Sequence, residues 1–399
     1  MNMKNKPIVF LEKVTPQTIL DDYARLMDAT QYTKYYNTNE KLIVKLNLSW
    51  SKYFPACSSP PWQVEGVLKK LKADGFKGKN IFTCENETVV TNVERGLKGN
   101  KWGPIITKYN CWFVPLTKVK FVPFKSKKPL HALDSKIFPD GFSIPKFYIG
   151  KNIIHLPTLK THGHTGAVGG YFKSKADEVP GGITCAIKNA FGGLLTKRRH
   201  FSHQFMSEVL VDLLIIQQQI HPHILAIADG TVAGDGAGPR CMIPRIKNTI
   251  IAGYDQVAVD TVAAKIMGFD PLKLPFIKLA HEDGLGCGDI DQIEVLNSKA
   301  ESVNIKNINW GFKVKRSLVI WGDQQVRKGK LRFLEPLMHT WLFKIGPVQL
   351  SKIYHDLFWI NTIGLKRIKK YNNTEWGKLF QQYSSEIPKN ERINLIRPE

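Results

Sequence analysis

The amino-acid sequence predicts an α/β protein, with a mostly parallel sheet and flanking helices in a two-lobed core and a helical region after it. Three observations carry that expectation. Lys41–Ser49 (KLIVKLNLS) reads as a strand, Pro60 and Pro61 open a helix with Val64, Val67, Leu68 and Leu71 on one face, and Ile81–Glu85 is the next strand. A strand–helix–strand unit of this kind gives parallel neighbours joined by a right-handed crossover. Another β-branched strand, Ile153–Leu156, breaks at Pro157 and releases Lys160, Thr161 and His162 where open α/β sheets place ligand crevices. Past Trp310 the chain turns basic and aromatic, with 17 Lys and Arg against 7 Asp and Glu in residues 310–399.

Residues 1–40 hold an apolar run, Ile8–Leu11, ended by Glu12, and a helix-like stretch, Thr15–Met27. The run is too short for a signal peptide, and nothing approaches the roughly 18 apolar residues of a membrane span. Gly75 stops the first crossover helix. Residues 98–150, rich in Lys, Pro and aromatics, predict an irregular or antiparallel excursion. The stretch between His164 and Gly181 (AVGGYFKSKADEVP) predicts a mobile flap, and a short helix with Lys188 and Asn189 follows between glycine pairs. Gln204–Ile220 is a long helix closed by His221–Pro222–His223. Ile224–Ala228 is a buried strand that delivers Asp229 and Gly230 to a glycine-rich loop, Gly234–Pro239. Thr249–Ala252 is a strand, and Asp255 caps a helix, Gln256–Met267, that Gly268 ends. A helix over about Leu272–His281 and a strand, Ile293–Leu296, complete a core of residues 1–309, with 310–399 as the C-terminal region.

Lys and Arg total 57 against 34 Asp and Glu, a net charge of +23. Such an excess points to anionic partners: a small anionic ligand first, peripheral contact with a membrane surface second, nucleic acid third. The six cysteines form no CxxC pair, so spacing gives neither a zinc knuckle nor a ferredoxin-type cluster. They read as reduced thiols of a cytoplasmic protein.

Two amines, Lys160 and Lys188, with the His162 imidazole and the Asn189 amide, can hold a phosphate or carboxylate and move a proton near neutral pH. Seven of the 11 histidines (His155, His162, His164, His200, His203, His221, His223) lie between residues 155 and 223, a density that can ligate a transition metal, although no short-spaced pair sits in a recognised metal motif. Asp260 sits among Ala258, Val259, Val262 and Ala263, where a carboxylate needs a partner or a raised pKa. The GDGAGP loop lacks the phosphate-cradle patterns, and Pro239 removes an amide donor. In the C-terminal region the aromatics fit a helical cap packed on the core better than a membrane or nucleic-acid surface.

In this order, KTH (Lys160–His162), IKNAFGG (Ile187–Gly193), Asp229–Gly230, GAGP (Gly236–Pro239), DQVAVD (Asp255–Asp260), IMGFDP (Ile266–Pro271) and GLG (Gly284–Gly286) make the sequence resemble the domain-of-unknown-function family 362 (DUF362) over about Leu42 to Val295. The family's strand-end lysine–proline–asparagine is matched by VKLNLS, with Leu46 in place of the proline. The segment between KTH and IKNAFGG is longer here than in the family pattern. Many relatives are described as iron–sulfur-associated through a four-cysteine module, which this chain lacks.

The expectation is an enzyme or cofactor-handling protein that binds an anionic small molecule in a basic cleft at strand ends. Lys160, His162 and Lys188 are the expected catalytic groups, and Lys45, Asn47, Thr161, Asn189, Gly236 and Gly238 the expected substrate contacts. Asp229 and Asp260 orient the lysines or hold a cation. The alternatives are a non-catalytic binder of membrane or nucleic acid through residues 310–399, and an electron-transfer partner that receives its iron–sulfur cluster from another protein. The sequence names no cofactor.

Overall fold

The computed structural model describes residues 6–88, 90–165, 178–179, 182–341, 346–388 and 391–395. Apart from Glu178–Val179, the expected flap lies outside the described residues. The first strands are β1 (Ile8–Lys13), β2 (Leu42–Lys45), β3 (Ile81–Glu85), β4 (Trp112–Pro115), β5 (Phe121–Phe124), β6 (Phe142–Pro145), β7 (Asn152–His155) and β8 (Thr158–Thr161). After them come β9 (Glu178–Val179), β10 (Ile183–Thr184), β11 (Ile224–Ala237), β12 (Cys241–Gly253), β13 (Glu294–Leu296), β14 (Val314–Lys315) and β15 (Asn394–Leu395).

The main sheet runs β13-β1-β12-β11-β7-β2-β3-β4-β15. From β11 through β15 every neighbour is parallel, while β11, β12 and β1 are antiparallel. Strands β2 (LIVK), β3 (IFTCE) and β7 (NIIH) are buried along their whole length, as parallel strands with both faces covered must be. Helices α1 (Ile19–Ala29), α2 (Pro61–Ala73) and α4 (Trp102–Lys108) cover one face; α3 is Val93–Gly99. On the other face, after the short α5 (Ala186–Asn189) and α6 (Phe191–Leu194), lie α7 (Met206–Ile220), α8 (Gln256–Met267) and α9 (Pro275–Glu282). The expected excursion contains the antiparallel pair β5–β6, although β4 within it joins the main sheet.

Several boundaries match the sequence closely. Helix α8 starts with Asp255 accepting from the Ala258 N–H at 2.9 Å and ends at Gly268 with φ 102°. Strands β11 and β12, in contrast, run far beyond Ile224–Ala228 and Thr249–Ala252, and the glycine-rich "loop" is itself strand and turn. Its glycines let other chains close in: a Cβ on Gly234 would lie 2.3 Å from the Met242 sulfur, and one on Gly238 would lie 1.7 Å from the Thr161 carbonyl oxygen.

The C-terminal region comprises α10 (Leu318–Lys328), a 3-10 stretch Arg332–His339, α11 (Pro347–Lys352), a π-helical stretch Ile353–Gly364, α12 (Leu365–Asn372) and α13 (Glu375–Gln382). Trp359, Tyr371, Trp376 and Phe380 are buried on the core, as the helical-cap expectation holds. The Tyr53 and Phe380 rings stack at 3.6 Å, Trp62 meets Trp376 at 5.1 Å, and Trp50 Nε1 donates to Asp356 at 2.6 Å. Other aromatics there, Trp321, Phe333, Trp341 and Phe358, remain exposed. Among the described residues no helix is long and apolar enough to cross a membrane.

Candidate functional site

Strands β2, β3 and β7 are parallel neighbours, and each ends on a polar residue: Lys45, Glu85 and His155. Lys45 and Glu85 line a cavity of about 810 Å³ at these strand ends, where an α/β sheet places its ligands, while His155 lies buried behind it. Lys45 and Glu85 form a buried ion pair at 2.7 Å, and Lys45 Nζ also donates to the Leu46 carbonyl at 2.8 Å. Burial pushes the Glu85 carboxyl up, and the lysine beside it pulls it back. Glycine is required against this pair: a Cβ on Gly193 would lie 2.9 Å from Lys45 Cε.

Lys188 leaves α5 into the same cavity. Among the described residues its ammonium makes no hydrogen bond, and it lies 4.7 Å from the centre of the Phe191 ring. Burial, then the charges of Lys160 and Arg199, bring it down to about 7. His162 also lines the cavity. Its Nδ1 accepts from the His164 N–H at 3.2 Å, which leaves the ring proton on Nε2, and burial holds it neutral by lowering its pKa far below the usual range.

Lys160 behaves differently. It is fully buried and does not line the cavity; its Nζ donates to Asn47 Oδ1 at 2.6 Å, Thr158 Oγ1 at 2.6 Å and the Cys57 carbonyl at 2.8 Å. Burial brings it down to about 8. From Asn47 a chain of hydrogen bonds continues to Asn189 Oδ1 (3.1 Å), from Asn189 Nδ2 to His155 Nδ1 (3.2 Å), and from His155 Nε2 to Gln217 Oε1 (2.7 Å). Lys160 therefore orients Asn47 and Asn189, which do line the cavity.

The other expected residues are not brought to the cavity. Thr161 donates to the Gly236 carbonyl at 2.9 Å, and Gly236 and Gly238 shape the β11–β12 turn. Asp229 accepts from Tyr23 Oη (2.7 Å), Trp62 Nε1 (3.0 Å) and Thr231 Oγ1 (2.7 Å) on the α1/α2 face. Asp260 accepts from the Ala186 (2.6 Å) and Ile187 (3.3 Å) N–H groups at the start of α5, on the opposite face. Burial raises them to about 6 and about 7. The two carboxylates share no cation site, because the sheet stands between them.

The roof of the cavity adds two residues that sequence reasoning missed, Arg327 and Asp323, to two of the clustered histidines, His164 and His203. Arg327 on α10 is 2 % exposed, and its Nε donates to both oxygens of Asp323, at 2.9 and 3.0 Å. Its two terminal nitrogens are buried and, among the described residues, have no hydrogen-bond partner. Asp323 Oδ2 lies 3.7 Å from His203 Nδ1 and 3.9 Å from His164 Nε2, whose rings stack at 4.4 Å. Arg327 holds the Asp323 carboxyl well below the usual carboxylate range. His164, His203 and Asp323 are the described side chains that group as metal donors, but Arg327 already occupies both carboxylate oxygens and opposes a second cation. An Asp–Arg pair at i, i+4 in DQQVR was visible in the sequence, and Glu85 could have been found as a carboxylate closing an apolar strand.

A family model described as "Domain of unknown function (DUF362)" matches residues 42–174 and 173–265. Neither a curated protein nor a solved structure matches the chain.

Proposed function

We propose, on the premise that this chain belongs to the DUF362 family, that it binds an anionic small molecule in the basic cavity at its strand ends and acts on it by proton transfer, as an enzyme or cofactor-handling protein. One observation carries the reading: Arg327 lines the cavity, and among the described residues its two terminal nitrogens are buried without a hydrogen-bond partner. A buried donor left unsatisfied is costly, and a phosphate or carboxylate is the partner a guanidinium fork fits. Lys188 adds a second cation that exchanges its proton near pH 7, and the neutral His162 adds an Nε2–H donor. Asn47 and Asn189 orient the ligand, and Lys160 is a positioning residue behind them.

The experiment is calorimetric titration of the full chain with inorganic phosphate and pyrophosphate. Arg327→Met is expected to lower affinity roughly 10- to 100-fold, the loss of one charge-assisted fork. Failure of the wild type to bind phosphate, pyrophosphate or small carboxylates overturns the proposal. A second reading, non-catalytic attachment to an anionic membrane through residues 310–399, is favoured by the exposed Trp321, Phe333 and Trp341. Such attachment weakens steeply with salt in vesicle co-sedimentation. The six free cysteines, five of them buried, support a cytoplasmic location.

A further inference from the structure

The cavity has two chemically distinct ends. One end holds Lys45, Lys188 and Arg327; elsewhere the C-terminal region contributes mainly aliphatic and aromatic side chains, with Arg240 and His355 also in the lining. Of these, Met338 and Val348 are buried, while Leu350, Ile353 and Phe358 line the cavity and are also 66 %, 52 % and 59 % exposed. The apolar lining therefore continues from the interior to the surface. A lone phosphate, with a bulk of a few water volumes of about 30 Å³ each, fills only a fraction of about 810 Å³. The same C-terminal region exposes Trp341 and Phe333, and in the sequence Lys330 and Arg332 flank Leu331, which lines the cavity. Exposed apolar and aromatic side chains beside cations match an interface with anionic lipid, and the excess positive charge disfavours a second copy of the same chain.

We infer that the ligand is a single-chain amphiphile with an anionic head, drawn from an anionic bilayer on which this mouth rests. The head sits on Arg327 and Lys188, and the tail lies along Met338 and Val348 toward Leu350 and Phe358. This rests on the anion-binding reading above and adds the tail and its source.

Dodecyl phosphate, below its micelle concentration, and inorganic phosphate are the probes, titrated into the full chain. The expected result is dodecyl phosphate binding at least 100-fold more tightly. The double variant Leu350→Glu/Phe358→Glu, altered only at exposed positions, is expected to lose at least tenfold for dodecyl phosphate and less than twofold for phosphate. Equal affinity of the two probes overturns the amphiphile and leaves the anion site standing; absence of binding by either overturns both. Flotation of the wild type with phosphatidylcholine vesicles containing phosphatidylglycerol, and not with phosphatidylcholine alone, supports the bilayer as source. Failure to float, or a dimer in light scattering that the double variant abolishes, overturns that source.

Discussion

Lys188 gives the site its pH dependence. In the folded chain it titrates at about 7, against 10.5 in an unfolded one. Below pH 7 both forms carry the proton, so the cost of burying the charge is felt in full. Between pH 7 and 10.5 the native side chain sheds its proton while the unfolded one keeps it, so native stability rises through that window. Lys188→Met is expected to raise the melting temperature over wild type at pH 6.5, with the gain shrinking at pH 9.5. Paired melts at the two pH values check this, and a pH-independent gap would remove the depressed lysine from the argument. Lys160→Met tests a different role. It removes the donor that saturates Asn47 Oδ1, Thr158 and the Cys57 carbonyl. The expected outcome is a loss of about 2–5 kcal/mol in denaturant melts, together with weaker phosphate binding as Asn47 and Asn189 lose their orientation.

Among the elements, α5 shows how much a short helix depends on its neighbours. Four residues cannot sustain a helix alone, and α5 is held by Asp260 of α8 accepting from the Ala186 and Ile187 N–H groups. Asp260→Ala leaves both donors bare, at a cost of about 1–3 kcal/mol each; Asp260→Asn retains an acceptor and is expected to lose less. Chemical denaturation of both variants gives the order. This element was legible in part. Lys188 and Asn189 announced themselves at a helix before Gly192 and Gly193, and Lys45, Asn47 and His162 at the ends of apolar runs. Lys160 carried the same signal yet faces inward, because its acceptors include a carbonyl at Cys57, about a hundred residues earlier, which no local pattern exposes. The glycine-rich stretch misled for a related reason: glycines that admit a neighbouring backbone look like glycines that free a loop.

Across the whole molecule, the C-terminal region is structurally continuous with the core. Strand β15 adds to the sheet edge beside β4, Arg367 donates to the Met242 carbonyl at 2.6 Å, and Trp376 Nε1 donates to Asn248 at 2.7 Å. Trp376→Ala is expected to cost about 3–5 kcal/mol, as large buried aromatics do, and a chain ending at residue 309 is expected to elute as aggregate in size-exclusion chromatography. The α/β core was readable because the strand–helix alternation is local. The roof was not, since Asp323 and Arg327 meet His164 and His203 across more than a hundred residues, and their pairing reads in isolation as a solvated helix face.

That division of floor and roof has a consequence for biosynthesis. The ribosome delivers Lys45, Glu85 and Lys188 long before α10 exists, so the nascent polypeptide passes through a stage as an open basin. Trp62 and Tyr53 then stand bare until Trp376 and Phe380 arrive to cover them. Competence for ligand is thus among the last properties acquired in translation, and the interval before it is when a holdase has most to protect.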